Sequence, residues 1–255
     1  MRLSGEPTPD ATPPGVVDLV ARIADGDDEA GRSRLTAKLA GQLSAALGTS
    51  AKAAGVGAVA SGRWLTNLAV EVAPRIRVRD AATLSAHHGG LTGLDLAAAL
   101  ITTASRVTAA VGAGAGAVMS VEWAAPPTLL TAPGVIAAET LAQLAIEVKL
   151  VAELHEALGQ APQGPGTRRM LGYLAAWARQ RGIDPIRTGL PAALTGAAKR
   201  ELRTRLVRRF AKGSIGIAPV AGAAVGFLLN QRETRKLGEK VLADLARRPS
   251  AQRAS

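Results

Sequence analysis

Acid–base chemistry has few places to reside in this chain. Its three histidines are the adjacent pair His87 and His88, and His155. Three carboxylates, Glu122, Glu139 and Glu147, stand alone in apolar stretches. Successive helical residues point about 100° apart, so His87 and His88 do not converge on one ligand. His155 falls on the apolar face of a helix, where a satisfied core histidine is the ordinary reading. Glu147 and His155 are the least poor pair for general acid–base work, but they meet only across two helical turns. The glutamates are equally suited to pairing with arginines elsewhere in the chain. The nucleotide-binding GxxxxGK[ST], the zinc-protease HExxH and the nucleophile-elbow GxSxG are all absent, and no Cys/His set has metal-ligand spacing. No catalytic residue, metal site or cofactor is assigned, and a hydrolase-type enzyme is the last of three readings.

The elements that carry these residues are helices. Ala, Leu and Val dominate the apolar fraction, aromatic residues make up 2% of the chain, and Val and Ile are too scattered to build a sheet. The pattern predicts an all-α protein, a multi-helix bundle with Gly/Ala-rich helical hairpins. Helices are expected near 16–24, 30–47 and 63–72, the last ended by Pro74. Residues 75–79 (RIRVR) alternate charged and aliphatic side chains, as a short strand or an extended connector would, and a lone strand among helices is disfavoured, so a connector is expected. Asp80 caps a short helix over 81–88, and a longer one over 92–111 leads into the GAGAG of 112–116. The best-defined helix is 135–158. Leu141, Leu144, Val148, Val151, His155 and Leu158 line one face, Lys149 and Glu153 pair on the other, and Gly159 caps the end. Further helices are expected at 167–181, 192–212 and 232–247. Residues 48–62 are too glycine-rich for a helix interior.

A second kind of chemistry is attraction to anions. Residues 199–212 carry Lys199, Arg200, Arg203, Arg205, Arg208, Arg209 and Lys212 around a narrow apolar stripe of Ala198, Leu202, Leu206 and Phe210. Arg232, Arg235 and Lys236 form another basic group. Between the two lie residues 213–231, without a single charge. A single crossing of a bilayer would leave one basic group on the disfavoured side. A hairpin bent near Pro219 and Gly222, entering and leaving by one face, avoids that, as does burial within protein. Gly222 with Gly226, and Gly112 with Gly116, have the GxxxG spacing that lets helix backbones approach closely. Anionic lipid would attract the basic residues, at about 1 kcal/mol each near the surface. Nucleic acid is disfavoured because no aromatic stacking platform accompanies the charge.

Charge divides the chain unequally. Residues 1–162 hold 12 Lys/Arg against 15 Asp/Glu, and residues 163–255 hold 19 against 5. The sequence 160–166 (QAPQGPG) marks a linker at this change. The expected organisation is a tail at 1–15, a helical region 16–159 with a Gly/Ala hairpin, the linker 160–166, a basic region 167–248 with its apolar hairpin, and a tail at 249–255. The two regions could form one compact unit. The chain has no cysteine, which excludes disulfides and thiolate metal sites. Residues 1–15 are polar and proline-rich, unlike a secretory signal. The expected location is cytoplasmic, peripheral to or partly inserted in the inner membrane face.

Two segments together resemble the EcsC family of bacterial proteins. One is 112–159, a Gly/Ala stretch and proline-interrupted turn before an amphipathic helix ending EVKLVAELHEALG. The other is 208–238, RRFAKGSIGIAPVAGAAVGFLLNQRETRKLG. A related Gly/Ala hairpin domain accompanies some bacterial GTPases. The stretches RIRVRDAATL and VEWAAPPTLLTAP are similar to those of an uncharacterised actinobacterial group. The resemblance covers roughly residues 75–240. It implies a helical, membrane-associated protein, linked in the namesake to an ABC-transporter operon, and supplies no catalytic residues. The chain departs from it in lacking a GTPase domain and in having Leu158-Gly159 where Tyr-Gly is often found.

The leading expectation is a non-enzymatic helical protein whose partner is an anionic membrane surface or a membrane protein. The alternative is a soluble helical scaffold whose Gly-rich hairpins are all internal.

Overall fold

The computed structural model describes residues 15–25, 29–54, 63–123, 132–182 and 219–247. Among them are eight α-helices and no strand: α1 (Val16–Asp25), α2 (Glu29–Ala54), α3 (Arg63–Val72), α4 (Ala81–His87), α5 (Gly93–Trp123), α6 (Ala132–Ala157), α7 (Gly166–Gln180) and α8 (Pro219–Arg247). The all-α expectation holds. The basic residues 199–212 lie outside the described residues.

Helix α6 is the axis of the molecule. Every residue from 134 to 155 is buried, and each of the other described helices touches it. A helix covered on all sides must satisfy its polar groups internally, and α6 does. Lys149 Nζ donates to Asp25 Oδ1 and to the Arg77 carbonyl, each at 2.6 Å. Arg79 donates through Nε and Nη2 to the two oxygens of Glu153, at 2.8 and 3.0 Å. The sequence separated an apolar face from one bearing Lys149 and Glu153. The expected Lys149–Glu153 pair forms, at 3.7 Å, and the structure adds that this charged side is covered too, by the end of α1 and the connector 76–80. These ion pairs hold the connector extended against α6.

Local signals set several boundaries. The Asp80 side chain accepts the Thr83 amide at 2.7 Å and starts α4. That bond holds the Asp80 carboxyl below its usual range. Gly159 adopts φ +66°, and the Gln160 amide returns to the His155 carbonyl at 2.8 Å, closing α6.

The most extensive helix contact joins α5 to α8, which run antiparallel. Gly112 lies against Gly226, Thr108 Oγ1 donates to the Asn230 carbonyl at 3.4 Å, and Ile101 meets Gly238. A Cβ at Gly112 would stand 2.7 Å from the Gly226 carbonyl carbon, and one at Gly238 2.7 Å from Ile101 Cγ1. Backbone proximity explains why α5 runs unbroken through 112–116. Each helical glycine costs about 1 kcal/mol relative to alanine, and close packing on α8 and on Ser33 of α2 offsets it.

Helix α8 brings a correction. The expected bend near Pro219 and Gly222 is not formed between Pro219 and Arg247, which are one continuous helix. Proline fits the first turn, where its missing N–H has no intrahelical acceptor. Residues 213–218 lie outside the described residues. Leu174 and Trp177 of α7 and Leu237, Val241 and Leu245 of α8 share one core with Val16, Leu39 and Leu141.

Candidate membrane-facing surface

Helix α8 has two distinct sides. Gly226, Asn230, Thr234, Leu237, Gly238, Val241 and Leu245 face the core. The outward side begins with Ala224, Leu228 and Leu229 and continues with Arg232, Arg235, Lys236 and Lys240. Leu228 is 46% exposed and Leu229 39%. The exposed side is therefore apolar near the start of the helix and, from its fourth turn on, mainly cationic, with Glu239 an exposed acid among the cations. Arg232, Arg235 and Lys236 make no ion pair with a described residue. Lys240 Nζ donates to the Gln180 carbonyl at 3.0 Å.

The close-packing glycines are placed differently from their sequence pairing. Gly112 and Gly226 come from separate GxxxG pairs and meet each other across the α5–α8 crossing. Gly116 and Gly222 lie in α5 and α8, one turn from that crossing. Asn230 completes it: its Nδ2 donates to Glu139 Oε1 at 3.0 Å, which satisfies one of the solitary carboxylates.

Among the described residues one helical stretch, Gly93–Ala115 of α5, is long and apolar enough to cross a membrane. Its most apolar window is 67% buried by the other helices, as befits a core helix.

Two acids of α6, Glu147 and Glu156, are directed toward α7. The Glu147 side chain is fully buried. It accepts from Gln143 Nε2 at 2.8 Å, Trp177 Nε1 at 2.9 Å, Arg181 Nη2 at 2.6 Å and Thr234 Oγ1 at 3.4 Å. Burial alone would raise its pKa, but the Arg181 charge and the bonds from Gln143, Arg181 and Trp177 outweigh that and hold it below the usual carboxylate range. The Arg181 guanidinium also lies 5.8 Å from the Trp177 ring centre.

A second cluster sits lower on the same seam. Glu156 accepts from Arg169 and from the Tyr173 hydroxyl, the latter at 2.7 Å. Burial, reinforced by the Glu156 carboxylate, pushes the Tyr173 hydroxyl up to about 12. His155 stands edge-on to Tyr173, ring centres 5.7 Å apart, with Nδ1 2.7 Å from the Val151 carbonyl. Glu147 and His155 thus have separate partners, and no bond links them. No group of three or more His, Cys, Asp or Glu residues able to hold a metal occurs among the described residues.

Sequence reasoning missed the α6–α7 seam. Its signal was available: Arg169, Tyr173, Trp177 and Arg181 recur every four residues, one helical face of large donors. The comparisons with protein-family models, curated proteins and solved structures found no match.

Proposed function

We propose that this is a non-enzymatic helical protein that associates peripherally with an anionic membrane surface through α8. The observation that carries the reading is the outward side of that helix, where exposed Ala224, Leu228 and Leu229 are followed by Arg232, Arg235 and Lys236. Each cation near an anionic surface contributes about 1 kcal/mol, and adjacent aliphatic side chains add burial at the headgroup boundary. The basic run 199–212 adds further positive charge next to the same helix in sequence. The resemblance of 112–159 and 208–238 to the EcsC family is in keeping with this role.

Fractionation of cells tests it. The protein is expected in the membrane fraction at low salt and in the supernatant after a high-salt wash, without detergent. Recovery in the soluble fraction at low salt contradicts the proposal. Release by detergent alone replaces it with deep insertion.

A soluble scaffold is the second reading. It is favoured by the burial of α6 on every side and by Gly112 and Gly226 packing on each other. It predicts a detergent-free monodisperse protein indifferent to lipid.

A further inference from the structure

The outward side of α8 is a stripe that runs along the helix and is not confined to one end. Successive helical residues turn by about 100°. With Arg232 as the centre, Glu239 and Ala243 lie within roughly 20° of it, and Lys236 and Leu228 stand roughly 40° to either side. Leu229 and Arg247 lie roughly 60° to one side and Arg235 roughly 60° to the other. All of these are exposed. The buried Asn230, Thr234 and Val241 lie nearly opposite. In the second half of the helix α7 borders one edge of the stripe, where Lys240 Nζ reaches the Gln180 carbonyl. Helix α5 borders the other, where Gly238 meets Ile101.

Charge and distance together fix how such a stripe can meet a surface. Arg232, Arg235, Lys236, Lys240 and Arg247 are exposed on it, against the exposed acid Glu239, while Glu233 and Asp244 are half-buried at its edge. At 1.5 Å per residue, Arg247 is about 22 Å from Arg232 along the axis and about 29 Å from Leu228. Interfacial apolar groups sink about 5–10 Å into a bilayer, and salt screens a charge beyond about 8–10 Å. Docking by either end of α8 would therefore leave the cations of the other end out of reach of the headgroups. Laid flat, the helix holds the whole stripe at one height.

We infer that α8 docks along its length, its axis in the plane of an anionic bilayer, with Leu228 and Leu229 in the headgroup–acyl boundary on either side of Arg232 and the cations spread over the headgroups from 232 to 247. This rests on the membrane reading above and adds its orientation. The aliphatic stems of arginine and lysine let their charges stay among the headgroups while the leucines reach below them. The helix does not cross, so all its cations remain on one side of the bilayer. Glu239, near the middle of the stripe, faces the same headgroups and opposes the contact.

The chain has no cysteine, so single cysteines carrying an environment-sensitive fluorophore report one site at a time. Leu228→Cys and Ala243→Cys lie on the stripe, about 22 Å apart along the axis. Lys38→Cys on α2 and Ala82→Cys on α4 are controls at exposed positions of helices that pack chiefly on α6. Each labelled protein is first checked for unchanged helical circular dichroism, then mixed with an excess of phosphatidylglycerol-containing vesicles. The expected result is a blue-shifted, brighter emission at both 228 and 243 that lipid-borne quenchers suppress, with no change at 38 and 82. Vesicle binding with any other pattern, such as a shift at 228 alone from end-on docking or equal shifts at all four sites, overturns the flat orientation and leaves surface association standing. Absence of vesicle binding by the unlabelled protein overturns both. Two unlabelled variants probe the far end of the stripe by affinity. Arg247→Gln is expected to weaken vesicle binding about fivefold, as much as Arg232→Gln, and Glu239→Gln to tighten it by a similar factor. Unchanged affinity in either contradicts contact along the whole helix.

Discussion

The α5–α8 crossing and the α6–α7 seam solve helix packing in opposite ways. At the crossing, Gly112 and Gly226 remove side chains so that two backbones touch, and cohesion comes from dispersion over a close contact. At the seam, long donors from α7 reach two carboxylates on α6: Trp177 and Arg181 bind Glu147, and Arg169 and Tyr173 bind Glu156. The first contact depends mainly on shape, with the bond from Asn230 to the Glu139 carboxylate beside it. The second depends on complete pairing, because a buried charge left without its partner is far costlier than the intact pair is stabilising. The difference also locates the arginines. Arg169 and Arg181 of the basic half are engaged by acids of the acidic half, whereas Arg232, Arg235 and Lys236 face outward.

The largest effect is expected from filling the crossing. Gly226→Leu must separate α5 from α8, and the loss should be about 3 kcal/mol or more, read as a fall in the denaturant midpoint. Gly41→Ala is the matching control, since nothing lies within 4 Å of a Cβ there. It should be neutral or stabilising by up to about 1 kcal/mol. Equal losses from both would remove the distinction between a packing glycine and a tolerated one.

Breaking the seam at one partner comes next. Arg181→Met leaves Glu147 buried without its counter-ion and should cost about 3 kcal/mol. Adding Glu147→Met should recover part of that loss, and thermal unfolding of the three proteins measures the coupling. If the double variant is no more stable than Arg181→Met, the pair is not an electrostatic unit.

Acid titration distinguishes the two contacts without altering shape. The Glu147 pKa is lower in the folded state than in the unfolded chain, where it is about 4.3. Its stabilisation is therefore complete above the unfolded value and is lost as pH falls through the folded one. Glu147→Gln should flatten that part of the stability–pH curve, while Gly226→Ala should shift the curve without changing its shape. A smaller effect is expected at Tyr173→Phe, about 1 kcal/mol for one hydrogen bond to a carboxylate that keeps Arg169.

Much of the helical layout was legible from local rules. Pro74 marked the end of α3, Asp80 the start of α4 and Gly159 the end of α6, because each residue imposes a backbone geometry or supplies a cap by itself. What escaped depends on distant partners. Helix α2 extends to Ala54, and α5 passes through 112–116, although glycines weaken both locally; for α5 the compensation comes from α8 and α2. Helix α6 showed one apolar face by periodicity, but the connector 76–80, brought in by Arg79 and Lys149, covers its other side. Pro219 looked like a bend because its position relative to a helix start is not encoded in its neighbours alone. Glu147 was noticed as solitary, whereas its partners Trp177 and Arg181 lie 30 and 34 residues away.

We propose that the outward cations of α8 serve an anionic lipid surface and not the fold. Co-sedimentation of the purified protein with phosphatidylglycerol-containing and pure phosphatidylcholine vesicles tests it most directly. The variant for comparison is Arg232→Gln/Arg235→Gln/Lys236→Gln. Binding to the anionic vesicles alone is expected, weakened by salt, with an affinity roughly a hundredfold lower in the triple variant at an unchanged unfolding temperature. Equal binding by both proteins, or binding by neither, would contradict it.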